Sequence, residues 1–159
     1  MTLERTFIMF KPDALERGVI GEILARFERK GLVLGGLKLL HVSDAQINDH
    51  YAEHQGKPFL PGLIKYIQSG PVVAGVLVGK NAVETVRGML GATDPGKAGV
   101  GTIRGDYGQD ISRNLVHGSD SAASAEREIA IYFGAGECSS HLPARIDQLF
   151  EQSPRTTTV

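Results

Sequence analysis

A single cysteine, Cys138, is all the chain has of that residue, so no internal disulfide can staple the fold, and a reducing compartment is expected. Charge of one sign is also missing. Seventeen basic side chains against eighteen acidic ones leave a net charge of −1 over 159 residues. That balance argues against a protein dedicated to nucleic acid or to an anionic membrane, while leaving room for a local basic pocket. No apolar run approaches the roughly 18 residues of a membrane span. The opening MTLERTFIMFKPD has too short an apolar stretch for a signal peptide, so a cytoplasmic protein is expected. Standard nucleotide fingerprints are absent too. GVLVGKN (75–81) has too few residues between its glycines for a P-loop, and it ends in Asn where Ser or Thr should hold magnesium. GVGTIRG (99–105) lacks both the spacing and the preceding strand of a dinucleotide site.

What is present suits one globular domain, with 42% hydrophobic and 22% charged residues in a chain long enough to bury a core. TFIMF (6–10) is a β-branched and aromatic run stopped by Lys11-Pro12, which predicts a buried strand. Ile20, Ile23, Leu24 and Phe27 recur at helical spacing before Gly31. Residues 32–42 read as a long strand bent at Gly35-Gly36, and Ser43 with Gln46 forms a capping box opening a helix through Tyr51 and His54. A further helix runs up to Gly70-Pro71, and VVAGVLVG (72–79) predicts a strand covered on both faces. Asn81 with Glu84 reads as another capping box, ahead of a stripe of Val83, Val86 and Leu90. Residues 91–113 show no clear period and read as a structureless loop, functional or disordered, SAASAERE as a helix and IAIYF (129–133) as the last strand.

The expected fold is α+β: a ferredoxin-like βαββαβ domain whose four-stranded antiparallel sheet is covered by helices. Residues 1–138 form that domain. Residues 139–159 are a C-terminal extension, a short helix from Leu142 to Phe150 followed by a loose tail, SPRTTTV.

Two constellations bear chemistry. HYAEH (50–54) matches the H-x-x-E-H pattern of inverted zinc peptidases. A zinc hydrolase also needs a third ligand and a substrate cleft, and a polar helix face is the plainer reading. His117, in RNLVHGSDS (113–121), has richer company. Lys11 ends the first strand, Arg87 borders an apolar helix stripe, and Thr93 and Arg104 lie on the glycine-rich loop. Singly these are a snorkelling lysine, a surface ion pair and a loop anchor to Asp106 or Asp110. Together they suggest phosphoryl transfer, with guanidinium groups on phosphate oxygens and an imidazole attacking phosphorus.

NLVHGSDS resembles the N-x-x-H-G-S-D active-site signature of nucleoside diphosphate kinases. ERTFIMFKPDALERGVIGEI, HYAEHQGKPF, SGPVVAGVLVGKNAV, MLGATDP, GTIRGDY and SAEREI resemble segments of the same family in the same order, from about Glu4 to Phe133. The resemblance implies a reversible ping-pong exchange of a γ-phosphoryl group between nucleotides through a phosphohistidine. His117 would be the nucleophile, attacking through Nδ1, with Glu128 orienting the ring from the other side. Tyr51 would pack beside that imidazole with Ser119 nearby. Lys11, Arg87, Thr93 and Arg104 would hold phosphates, and Lys11 with Asn114 would read the 3′-hydroxyl. Phe59 would stack on the base, with Leu63 and Ile111 completing the slot. Magnesium would be carried by the nucleotide phosphates, with no metal ligands of the protein's own. In that frame Tyr51 faces the site, His54 lies near the phosphates and His50 points outward, so HYAEH would be a coincidence. The family's assemblies, to whose stability the position of Pro95 is tied, imply a homo-oligomer, a hexamer with a tetramer as the alternative. A catalytically silent nucleotide-binding module is disfavoured, because every expected catalytic position is filled.

Overall fold

The structure is a computed structural model and describes residues 3–149. Four strands, β1 (Glu4–Phe10), β2 (Val33–Leu40), β3 (Val72–Gly79) and β4 (Val116–Gly118), form one sheet in the order β2-β3-β1-β4. Every pairing is antiparallel, the ferredoxin-like arrangement. The register of β2 on β3 slips between Leu34 and Gly36, so Gly35-Gly36 does mark a bulge. Helices α1 (Pro12–Glu16) and α2 (Ile20–Lys30) follow β1, and α3 (Asp44–His50) and α4 (Leu60–Ile67) lie between β2 and β3. Then come α5 (Ala82–Leu90) and α6 (Ile103–Tyr107) before β4, and α7 (Ala122–Tyr132) after it.

Strand alternation sorts the core into two layers. Ile8 and Phe10 of β1 meet Ile23 and Phe27 of α2, Val86 and Leu90 of α5, and Ile103 of α6. Phe7 and Met9 meet Ile47 of α3, Leu60 and Ile67 of α4, and Ile129 and Tyr132 of α7. A strand buried on both faces has no polar alternation, which is why 6–10 and 72–79 read as continuous apolar runs. α2 ends at Gly31, whose φ of 98° is the left-handed stop a helix favours. The capping box of α3 forms in full: Gln46 N donates to Ser43 Oγ at 3.1 Å, and Ser43 N to Gln46 Oε1 at 3.0 Å. α3 stops at His50, and a 3₁₀ turn over Ala52–His54 replaces its expected extension.

Three further expectations are corrected. IAIYF is not the last strand but the end of α7. Ala125, Glu128, Ile129 and Tyr132 recur at steps of three and four and form that helix's buried stripe. The true fourth strand is three residues long, too short for any period to register. Asn81 does not cap α5: its backbone sits at φ 49° with no side-chain cap, and Glu4 Oε1 accepts from Val83 N at 2.7 Å instead. The segment 91–113 is not structureless. It holds a 3₁₀ turn, Pro95–Lys97, and the helix α6, whose cap Thr102 Oγ1 accepts from Gly105 N at 3.1 Å. Arg26 to Asp106 (2.6 Å) and Tyr107 to Glu22 (2.9 Å) clasp this segment to α2.

In the C-terminal extension, Ala144–Gln148 is a 3₁₀ turn and not an α-helix. Ile146 is buried, and Leu149 packs on Gly31 at the end of α2. Phe150 and SPRTTTV lie outside the described residues. Among the described residues no helix is long and apolar enough to cross a membrane.

Candidate functional site

The site stands on β4 and the turn that enters it. His117 pairs with Met9 across the β1–β4 ladder, so its side chain shares the Phe7–Met9 face. Gly118 pairs with Ile8 and faces the other layer. A Cβ there would lie 2.8 Å from Leu90 Cδ1, which explains the glycine beside the histidine. Leu115 carries a φ of 74° while fully buried. A left-handed leucine is strained, and hydrogen bonds hold it from both sides. Its N–H donates to Asp13 Oδ2 at 3.1 Å, and its carbonyl accepts from Lys11 N at 2.8 Å. The Tyr66 hydroxyl donates to Asp13 Oδ1, and Arg113 lies over the Tyr66 ring at 3.8 Å. The strained turn is what sets Asn114 and His117 on the same cavity.

That cavity, about 220 Å³, brings together Lys11, His54, Arg87, Thr93, Arg104, Asn114, His117 and Glu128. Lys11 Nζ donates to Asn114 Oδ1 at 2.7 Å, and Asn114 Nδ2 to the Thr93 carbonyl at 3.0 Å. Arg104 is buried and donates to the carbonyls of Gly91 (3.0 Å) and Val116 (2.6 Å), so it anchors backbone and not Asp106 or Asp110. Arg87 is exposed, and its guanidinium has no hydrogen-bond or salt-bridge partner among the described residues. Burial pushes the Lys11 amine down to about 8, with the Arg104 charge adding to this and Asp13 pulling back. Burial likewise lowers Arg104 to about 10, with Arg87 adding.

His117 Nε2 is hydrogen-bonded to Glu128 Oε1, and Nδ1 is left as the nitrogen without a partner among the described residues. Burial pushes the imidazole well below the ordinary histidine range, against the pull of Glu128. Burial pushes the Glu128 carboxyl up, but the hydrogen bond to His117 and the nearness of the His50 ring outweigh that and hold it well below the usual carboxylate range. The pair at neutral pH is therefore a neutral imidazole on a carboxylate, with a lone pair at Nδ1.

The structure does not gather every expected residue. Tyr51 is buried and stacks on His50, ring centroids 4.5 Å apart, and the ring set edge-on to His117 at 4.8 Å is His50. Ser119 is fully buried, with Oγ turned toward the Phe7 carbonyl at 3.4 Å. Phe59, Leu63 and Ile111 do not line this cavity. Phe59 is exposed and lies edge-on to His54 at 5.6 Å, one ring beyond the wall, and Ile111 is exposed as well.

The expectation that His50 points outward is corrected. It is 5% exposed, lines the cavity, and places Nδ1 2.8 Å from the Tyr132 hydroxyl. Ile47, His50 and Tyr51, at helical spacing, are the signal that this histidine sits on the buried face of α3. Glu53, Asp120, Ser124 and Arg127 also line the cavity; they fall within HYAEH, NLVHGSDS and SAEREI, but no role attaches to them from those stretches.

A family model described as nucleoside diphosphate kinase matches residues 4–138. The chain is 57% identical over 135 residues to a nucleoside diphosphate kinase of Pelotomaculum thermopropionicum, covering 85% of this chain and 91% of that one. It is 50% identical over 150 residues to one from Archaeoglobus fulgidus, covering 94% and 99%. Among solved structures, a halophilic nucleoside diphosphate kinase from Halobacterium salinarum, in complex with CDP, superposes with a TM-score of 0.91 at 45% identity, covering 94% and 100%. One from Babesia bovis gives a TM-score of 0.89 at 41% identity, covering 92% and 99%.

Proposed function

Since the chain belongs to the nucleoside diphosphate kinase family, and so performs reversible γ-phosphoryl exchange between nucleotides through a phosphohistidine, we propose that His117 carries the phosphoryl group and that the residues around it divide the rest of the work. The observation that carries the proposal is the bond from His117 Nε2 to Glu128, because it commits the Nε2 proton and leaves the Nδ1 lone pair for phosphorus. Nδ1 attacks the γ-phosphorus, the bond to the bridging oxygen breaks, and the nucleoside diphosphate departs. The positive ring that results keeps its Nε2 proton against Glu128. An incoming diphosphate then attacks the same phosphorus, and the N–P bond breaks.

Arg87 and Lys11 hold phosphate oxygens. Arg104, tied to Gly91 and Val116, supplies fixed positive charge to the developing transition state. Lys11 and Asn114, already 2.7 Å apart, read the 3′-hydroxyl. Phe59, with Leu63 and Ile111, is a base platform outside the cavity. A flat apolar slot of that kind suits purines and pyrimidines alike, and the Halobacterium relative holds CDP. Tyr51 and Ser119 act from behind the site, Tyr51 by stacking on His50.

The residues present fit a divalent ion that arrives with the nucleotide. The cavity offers the separate carboxylates Glu53 and Asp120, and among the described residues no all-oxygen cluster could hold one alone. Magnesium bound to phosphates would neutralise charge on the transferring group, with Glu53 and Asp120 facing its water shell. Assembly into a homo-oligomer, a hexamer by our reading, is supported by Leu37 and Leu39 exposed on the edge strand β2 and by Val100 fully exposed on the long loop. A cytoplasmic location is supported by the single, unpaired cysteine.

Incubation with γ-labelled ATP and magnesium should yield an acid-labile, base-stable phosphoenzyme that GDP empties and His117→Ala lacks. Label that persists in His117→Ala would overturn the assignment.

A further inference from the structure

The floor of the cavity holds a donor set that phosphoryl transfer does not use in full. His50, His117 and Glu128 each offer a ligand atom, and these atoms lie within 4.8 Å of one another. His50 Nε2 is 3.2 Å from Glu128 Oε1 but badly aligned, so it is buried without a hydrogen-bond partner among the described residues. A buried polar atom left unpaired costs free energy and needs an explanation. The other ring nitrogen, Nδ1, meets the Tyr132 hydroxyl at 2.8 Å. When Nδ1–H donates in that bond, Nε2 carries the ring's lone pair and faces Glu128. An outer hydrogen bond of this kind is what fixes the tautomer and orientation of a metal-binding imidazole.

Two imidazoles and one carboxylate form a donor set that zinc accepts with a fourth position left open. Magnesium, which prefers six oxygens, does not. Ligands at about 2.0–2.2 Å from a tetrahedral ion stand roughly 3.3 Å apart, close to the 3.2 Å between His50 Nε2 and Glu128 Oε1. The open cavity above them supplies the fourth position. HYAEH thus contributes one ligand and not two: His54 faces Lys57 Nζ at 3.0 Å, and the partners of His50 come from β4 and α7.

We propose that the nucleotide-free site takes up one zinc-class cation on His50, His117 and Glu128, and that the ion holds the protein in an off state by capturing its nucleophile. Binding replaces the hydrogen bond between His117 and Glu128: the Nε2 proton passes through solvent to Nδ1, both freed atoms become ligands, and the Nδ1 lone pair that would attack phosphorus is lost. The ring stays neutral and the carboxylate is already ionised, so no net proton is released on binding. Occupancy stands on geometry alone, whereas the off state rests on the phosphohistidine reading.

Zinc titration calorimetry and visible absorption with cobalt(II) as the stand-in, both on the full chain without nucleotide, test the site. One ion per chain and the intense absorption of four-coordinate cobalt are expected. His50→Gln should abolish both. Tyr132→Phe leaves the three ligands in place and should weaken binding about ten- to a hundredfold. Cys138→Ser should change neither. Binding that survives His50→Gln, that follows Cys138, or that does not occur overturns the site. Zinc-loaded protein should take label from γ-labelled ATP at least about tenfold more slowly, with chelator restoring the rate; labelling at full speed overturns the off state. A chain that labels at His117 but binds no zinc refutes this inference and leaves the kinase reading standing. A chain that binds zinc but never labels refutes only the kinase reading and, with it, the off state.

Discussion

On one face of the sheet Ile8, Phe10, Ile23, Phe27, Val86 and Leu90 meet as a plain apolar cluster. On the other, Phe7 and Met9 share their layer with His50, Glu128 and Tyr132. There the Phe7 ring stacks on Tyr132 at 5.0 Å and lies 6.0 Å from both His50 and His117. The same strand therefore packs oil on one side and a hydrogen-bonded polar cluster on the other. Buried polar groups are tolerable when they satisfy one another, and the low-dielectric wall is what keeps the His117 imidazole neutral. One face supplies stability, and the other gives some of it up to keep a reactive nitrogen.

The widest separation between the two faces comes from removing one side chain from each. Glu128→Ala leaves His117 without its orienting acceptor, and kcat should fall by roughly two to four powers of ten, with the melting temperature little changed. Phe27→Ala, on the plain face, should cost about 3–5 kcal/mol of unfolding free energy while kcat per folded molecule stays within about twofold. Denaturant unfolding and steady-state kinetics on both variants decide the matter. A Glu128→Ala protein that loses stability but keeps its rate would erase the division.

The same contrast governs how much of the molecule is legible in its amino-acid pattern. Apolar periodicity exposes α2, β1, β3 and the stripe of α5 because burial on those elements is uniform. It fails at the site face. IAIYF resembles a strand because its β-branched and aromatic residues are those a strand favours, while the stripe that makes it helical includes the polar Glu128. β4, at three residues, is held by its ladder with β1 and by the Asp13–Leu115 bond, neither of which has a local pattern. His50 reads as an outward residue because the family frame turns Tyr51 and His54 toward the site, although Ile47 and Tyr51 place His50 on the buried face of its helix. Lys11, Arg104 and His117 suggest phosphoryl transfer by residue type, but they and Asn114 take separate roles only through resemblance to a family, since they converge from separate places in the chain. The clamp of Asp13 and Tyr66 on Leu115 is not legible at all, because a left-handed leucine leaves no mark on composition.

The smallest effect separates the two faces by pH. Burial holds Lys11 near 8, against about 10.4 for a free lysine. Below that value the amine is charged and can hold a phosphate; above it the charge is lost, so kcat/KM should fall from about pH 8 upward, an alkaline limb of the free protein. Stability moves the other way. Between about 8 and 10.4 the unfolded chain keeps a proton that folded Lys11 has given up, so this one group makes the fold more stable as pH rises. Asp13→Asn removes the charge that pulls Lys11 back up, and it should carry the alkaline limb to lower pH. The buried residues of the plain face include no titrating group, so Phe27→Ala should leave the limb where it is. A limb at the ordinary lysine value in the unaltered protein, or one that ignores Asp13→Asn, would mean that solvent reaches the amine and that the polar wall does not control its charge.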